Sequence, residues 1–212
     1  MMSKQTMSIH RGLAELKTYD DRIQRAMEMD FIIANKKSND KIKGKTIEEC
    51  KQKIKGGFAS YYALTENQRR IKAAVVHSNA VTKVKIGGIE YTVAEAIERK
   101  AKLHHDEKFL MTLKYQFNTL NDKVERENEA LREKLESYLQ SILGEKDRRT
   151  PEDIATHTKA FEDRNKYELI DPCDIAKQIE QLEQTITNFK TEVDYILSES
   201  NATTFVDVEF VS

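Results

Sequence analysis

The sequence predicts a mainly α protein: an elongated antiparallel helical bundle or coiled coil, with a small β-hairpin and a C-terminal strand capping one end. Three observations carry this. Apolar residues recur at heptad spacing through two long segments, 93–143 and 172–197. Residues 83–93 alternate apolar and polar side chains around Gly87-Gly88. Only two prolines and seven glycines interrupt the 212 residues, so helices can run long.

Composition agrees. Hydrophobic residues make up 39% of the chain and charged ones 33%, against roughly 45–50% and 25% in an ordinary globular domain. Long helices with narrow apolar stripes have this make-up, and such chains complete their burial by pairing with copies of themselves. A homo-oligomer is therefore expected. The net charge of −1 gives no overall attraction to nucleic acid or membrane. Cys50 and Cys173 lie far apart without a CxxC spacing, which points to a reducing, cytoplasmic setting. The N-terminus has no apolar signal core, and no run approaches the ~20 apolar residues of a membrane span. Met7-Ser8 is a candidate start, which would leave a short disordered leader.

Helices are read in order. Ser8 caps a first helix carrying Ile9, Leu13, Leu16, Ile23 and Met27 at helical spacing. A lysine- and asparagine-rich stretch, 35–45, reads as a loop. Thr46 with Glu49 is a capping box, and the helix it opens carries Ile47, Ile54, Phe58, Tyr61, Leu64, Ile71 and Val75. Gly56-Gly57 within it marks a kink or a close helix contact. The helix is expected to end near Ser78-Asn79. Gly87-Gly88 then joins two short strands, since both central positions of a primed turn need positive φ. Thr92 and Glu95 form a second capping box and open a helix that nothing breaks before Gly144. At 1.5 Å per residue this is a rod of roughly 75 Å. Its apolar stripe changes sides and turns polar around 125–130. Pro151 and Pro172 each suit the first position of a helix. The last helix repeats Ile175, Ile179, Leu182, Ile186, Phe189, Val193 and Ile196, and should pack antiparallel on the long one. Val206, Val208 and Phe210 alternate with charge as a terminal strand. The organisation expected is 1–92, with the N-terminal helices, basic loop and hairpin, and 93–212, with the coiled-coil helix, a short helix, the last helix and the strand, together forming one elongated domain.

The two halves share a junction. Ser78-Asn79-Ala80-Val81-Thr82-Lys83-Val84 parallels Ser200-Asn201-Ala202-Thr203-Thr204-Phe205-Val206, each ending an amphipathic helix and entering a strand. Asparagine suits a left-handed helix end. If the C-terminal strand joins the 81–86/89–93 hairpin, Lys83 and Lys85 can face Asp207 and Glu209. With its Ser-Asn-Ala-x-Thr junction, its hairpin, and the helix opening Thr92-Val93-Ala94-Glu95-Ala96-Ile97-Glu98-Arg99, the chain resembles the septicolysin-like family of small bacterial helical proteins. It is also similar to hypothetical proteins carried by phages and prophages of Gram-positive hosts. The likeness covers about two-thirds of the chain, mainly 60–125 and 170–208, and departs from the family in the lysine-rich 35–55 region and the length of the rod. It implies a helical, oligomer-forming fold; a lytic activity is not implied.

No catalytic or phosphate-loop signature is present: HExxH, GxSxG, GxxxxGK[ST] and GxGxxG are all missing. His104-His105-Asp106-Glu107 spreads over most of a helix circumference, so it reads as a solvated face and no metal is expected. His10, His77 and His157 stand alone. The positive charge gathers between Lys36 and Lys85. Arg69, Arg70 and Lys72 on the second helix, with Asn79, Thr82 and Lys83 beyond it, are the candidate phosphate ligands. Tyr62, or its neighbour Tyr61, is the candidate ring for stacking on a base.

These readings lead to a non-enzymatic, cofactor-free helical protein, phage- or prophage-encoded and working in the host cytoplasm. Its role is a structural, assembly or protein-interaction one, with itself and other phage proteins as partners and no membrane contact. Two alternatives stay open. One is an oligomeric sponge that sequesters a phosphate-bearing nucleotide signal of host antiviral defence. The other is a nucleic-acid-binding protein that uses the basic N-terminal face.

Overall fold

A computed structural model describes residues 2–146 and 149–211. The fold is mainly α with small antiparallel strand pairs. In chain order it runs β1 (Met2–Ser8), α1 (Ile9–Met27), β2 (Lys41–Ile42), β3 (Lys45–Thr46), α2 (Ile47–Val81), β4 (Lys83–Ile86), β5 (Ile89–Thr92), α3 (Val93–Leu143), α4 (Pro151–Asn165), α5 (Ile175–Thr203) and β6 (Phe205–Val211). Two compact units form. One holds residues 1–101 with 188–212, the other 102–187. This division falls elsewhere than the 92/93 boundary read from the sequence, because α3 and α5 each contribute residues to both units.

Local chemistry sets the helix ends. Ser8 accepts from the Arg11 N–H at 3.2 Å and starts α1. Thr46 and Glu49 exchange the two bonds of a capping box at the head of α2, and Thr92 and Glu95 repeat it for α3. Gly144, at φ +72°, ends α3 with its N–H on the Gln140 carbonyl. Thr150 caps α4 ahead of Pro151. Pro172 does not open α5 as expected. Asp171 reaches forward instead to the Ile175 N–H at 2.7 Å, Asp174 takes φ +53°, and the helix starts at Ile175. Gly57 is buried against Met29, the close approach that its missing side chain allows.

The sheet differs from expectation in its pairing. The C-terminal strand does not join the hairpin. β6 pairs antiparallel with β1, Val206 opposite Met7 and Val208 opposite Gln5, while β4 and β5 form their own hairpin. The supposed disordered leader is thus a full strand, with Met7 only 2% exposed. The physical reason is the inward alternation of Gln5 and Met7 opposite that of Val206 and Val208, which gives both terminal segments one buried face. Lys83 consequently pairs with Glu90 at 2.6 Å and Lys4 with Asp207 at 2.8 Å; Lys83 and Lys85 do not meet Asp207 and Glu209. The 35–45 loop contains the short β2–β3 hairpin.

The first unit consists of two matching halves. Helices α2 and α5 run through their asparagines without a left-handed residue and leave into extended backbone at Thr82 and Thr204. The Thr82 N–H donates to the Ser78 carbonyl at 2.8 Å and the Thr204 N–H to the Ser200 carbonyl at 2.9 Å. Their own carbonyls accept from Val93 and Ile9, the first residues of α3 and α1, each at 2.9 Å. Strand β6 with β1 therefore repeats β4 with β5. Each long helix packs on the strand that the other delivers. Arg70 of α2 donates to the Glu209 carbonyl of β6 at 3.1 Å. Its counterpart in α5, Glu192, accepts the Gly87 N–H of the β4–β5 turn at 2.6 Å. One core gathers Met7, Ile9, Tyr19, Ile71, Val75 and Val208. In the other half Ile86, Val93, Ala96, Phe189 and Val193 are buried, with the Tyr91 ring edge-on to Phe189 at 5.8 Å. Lys100 of α3 pairs with Asp194 of α5.

In the second unit α3 and α5 again lie together, with Lys114 on Glu183 at 2.7 Å. Tyr138 of α3 stacks on Phe161 of α4 at 4.8 Å. The polar stretch of α3 has a use: Asn128 donates to the Tyr167 carbonyl and accepts its N–H, both at 2.9 Å, and so ties down the chain after α4.

Candidate functional site

The structure distributes the sequence-predicted ligand residues among separate local tasks. Arg69 and Arg70 both grip Glu66, at 2.7 and 2.8 Å, the i,i+3 and i,i+4 spacings that bring side chains together on a helix. Hydrogen bonds from Arg69 and then Arg70 hold the Glu66 carboxyl down at about 2. Arg70 also anchors β6. Lys83 is held by Glu90, which raises its ammonium above the usual range. The Thr82 hydroxyl lies 3.4 Å from that of Ser78. Asn79 is half-buried and Lys72 exposed. Tyr62 is exposed and sits edge-on to Phe58 at 4.9 Å and to Tyr61 at 5.7 Å. Arg70 is thus engaged in holding β6, Arg69 in a local pair on the surface of α2, and Tyr62 belongs to a ring cluster that continues through Phe58 to Phe31.

The basic segment does build a cavity, from residues that sequence spacing did not single out. It measures about 190 Å³ and lies between the β2–β3 hairpin, the first turns of α2 and the chain after α1. Ile33, Ile42 and Ile54 supply its apolar lining, Lys43, Lys45 and Lys53 its positive charge, and Asp30 and Cys50 complete it. None of the three ammonium groups makes an ion pair among the described residues. Glu49 accepts the Thr46 N–H at 2.7 Å in the capping box and feels the Lys45 charge only through space, while Glu48 engages Lys51 and Gln52. Lys43 and Gly44 form the hairpin turn at φ +48° and +80°, close to Gly87 and Gly88 at +58° and +81°. Both are primed turns. A lysine thus stands where the other hairpin has glycine. A repeated K-x-K pattern beside a glycine was the available signal; the fold around it was not.

A second feature is apolar. On the α3 portion of the second unit, Phe109, Met111 and Tyr115 are 57%, 71% and 71% exposed, and Met111 and Tyr115 share a face one turn apart. Among the described residues no group of His, Cys, Asp and Glu is placed to hold a metal ion, and no helix is long and apolar enough to cross a membrane. Both described cysteines are free thiols. No protein-family model, no curated protein and no solved structure matches this chain.

Proposed function

We propose that this protein is a non-enzymatic, self-associating helical protein whose role is structural assembly or protein interaction. The observation that carries this reading is the amount of surface left uncovered. A compact folded chain of this mass exposes about 10,000 Å², and two separate compact units of these sizes about 12,000 Å²; this chain exposes 15679 Å². Part of the excess is apolar and concentrated, in Met111 and Tyr115 of α3. Helices with narrow apolar stripes bury them against other helices. The free thiols support a reducing, cytoplasmic setting.

Light scattering on the full chain after size exclusion tests the reading. It expects a defined multimer, and a Met111→Glu/Tyr115→Glu variant that falls to a lower mass while keeping its helical circular dichroism. A single-chain mass for the unaltered protein across the whole accessible concentration range overturns it.

A further inference from the structure

The geometry points to the cavity beside the β2–β3 hairpin as a binding site for a small phosphorylated ligand. Its phosphate meets Lys43, Lys45 and Lys53, and its carbon frame lies on the isoleucine walls. Three exposed lysines and one aspartate line the same space, and none of the three lysines makes an ion pair among the described residues. A cleft lined mainly by one sign of charge concentrates the opposite ion. Next, the turn places Lys43 at φ +48°, where the matching residue of the other hairpin is Gly87. A long cationic side chain kept at a position that favours glycine signals a use for that side chain. Finally, the size of the space selects the ligand. A cavity of about 190 Å³ has room for a phosphate with a small apolar group attached. Phosphate is favoured over carboxylate because it offers up to two negative charges and three acceptor oxygens to three ammonium donors. The site does not depend on self-association.

Cys50 lines the cavity and is half-buried, while Cys173 is exposed in the other unit. The same chain therefore carries a probe and a reference. The experiment measures alkylation of each thiol by N-ethylmaleimide, read by peptide mass spectrometry on the full chain. It is run with no addition, with inorganic pyrophosphate, with phenyl phosphate and with benzoate. Pyrophosphate or phenyl phosphate should slow Cys50 in a saturable way and leave Cys173 unchanged. Tighter protection by phenyl phosphate assigns part of the recognition to the apolar walls, and equal protection assigns it to the phosphate alone. Lys43→Gly keeps the turn and should keep the melting temperature, yet weaken protection about tenfold or more, the usual loss of one charge-assisted bond; Lys53→Gln should do the same. Arg69→Gln, remote from the cavity lining, should leave it intact. Failure of both phosphates to protect, benzoate protecting as well as phenyl phosphate, or undiminished protection in Lys43→Gly and Lys53→Gln overturns the assignment.

Discussion

Asn67 and Val211, far apart in sequence, exchange two hydrogen bonds: the Asn67 amide donates to the Val211 carbonyl at 2.9 Å and accepts the Val211 N–H at 2.7 Å. The side chain acts as a short piece of neighbouring strand for the end of β6, and it does so while only 7% exposed. Replacing it with alanine leaves a donor and an acceptor of β6 without their partners. Asn67→Ala should cost about 1–3 kcal/mol of stability, the usual result of stranding buried polar groups. Urea denaturation measures the loss, and faster hydrogen exchange at the Val211 amide locates it. A loss with no change at that amide would show that Asn67 acts elsewhere.

Gly12 occupies the place in α1 that Ala96 occupies in α3, each the fourth residue of its helix. A Cβ at Gly12 would lie 3.6 Å from the Ile71 and Val75 methyls and 3.8 Å from the Met7 sulfur, ordinary contact distances. Gly12→Ala should therefore fill space without strain and reduce the freedom of the unfolded chain. A gain of about 0.5–1 kcal/mol is expected, seen as a higher melting temperature. A lower one would mean that the added methyl does not fit between α1 and α2.

Acid should loosen the first unit as its paired carboxyls are forced to take up protons. The Glu66 carboxyl is drawn by Arg69 and Arg70 from its ordinary 4.5 down to about 2. The hydrogen bonds from Lys4 and Thr6 likewise lower Asp207. For a carboxyl whose folded value lies below its unfolded one, the stabilisation is complete above the unfolded value and disappears as pH falls through the folded one. The window for Glu66 is thus from about pH 4.5 down to about 2. Stability measured across that window should fall in the unaltered protein and fall less steeply in Glu66→Gln. Salt should flatten both curves, since these groups are open to solvent. Parallel curves for the two proteins would remove Glu66 from the account.

The matching halves make a prediction about chain order. β1 and β6 pair as β5 and β4 do, and Ser3 opposite Phe210 stands in the same hydrogen-bonding phase as Ile89 opposite Ile86. A two-residue Gly-Gly link from Phe210 to Ser3 copies the Gly87-Gly88 turn, and new termini can then open between Gly87 and Gly88. This permuted chain should fold with unchanged helical circular dichroism and a cooperative melt. Its melting temperature should fall modestly, because opening the β4–β5 turn loosens the Gly87 contact with Glu192. A chain without cooperative melting would show that the two junctions are alike in hydrogen bonding only.

Features closed within a few residues were legible before any coordinates. The capping boxes at Thr46/Glu49 and Thr92/Glu95, the Gly87-Gly88 turn, the stop at Gly144 and the shared Ser-Asn-Ala-x-Thr junction depend on bonds between near neighbours, so residue type and spacing state them. The engagement of Arg69 and Arg70 by Glu66 was legible in the same way, from i,i+3 and i,i+4 spacing. The partner of β6 was not legible. Alternation tells which face of a strand is buried but not which other strand covers it, and Lys83–Glu90 offered no local hint that Lys4 would be the one to meet Asp207. The basic cavity was half visible. Its lysines stand out in the sequence, but Ile33, Ile42 and Ile54 close a space only once the chain after α1 has been folded back onto the head of α2. Short-range hydrogen bonding fixed the elements; the burial of surfaces distant in sequence decided which of them meet.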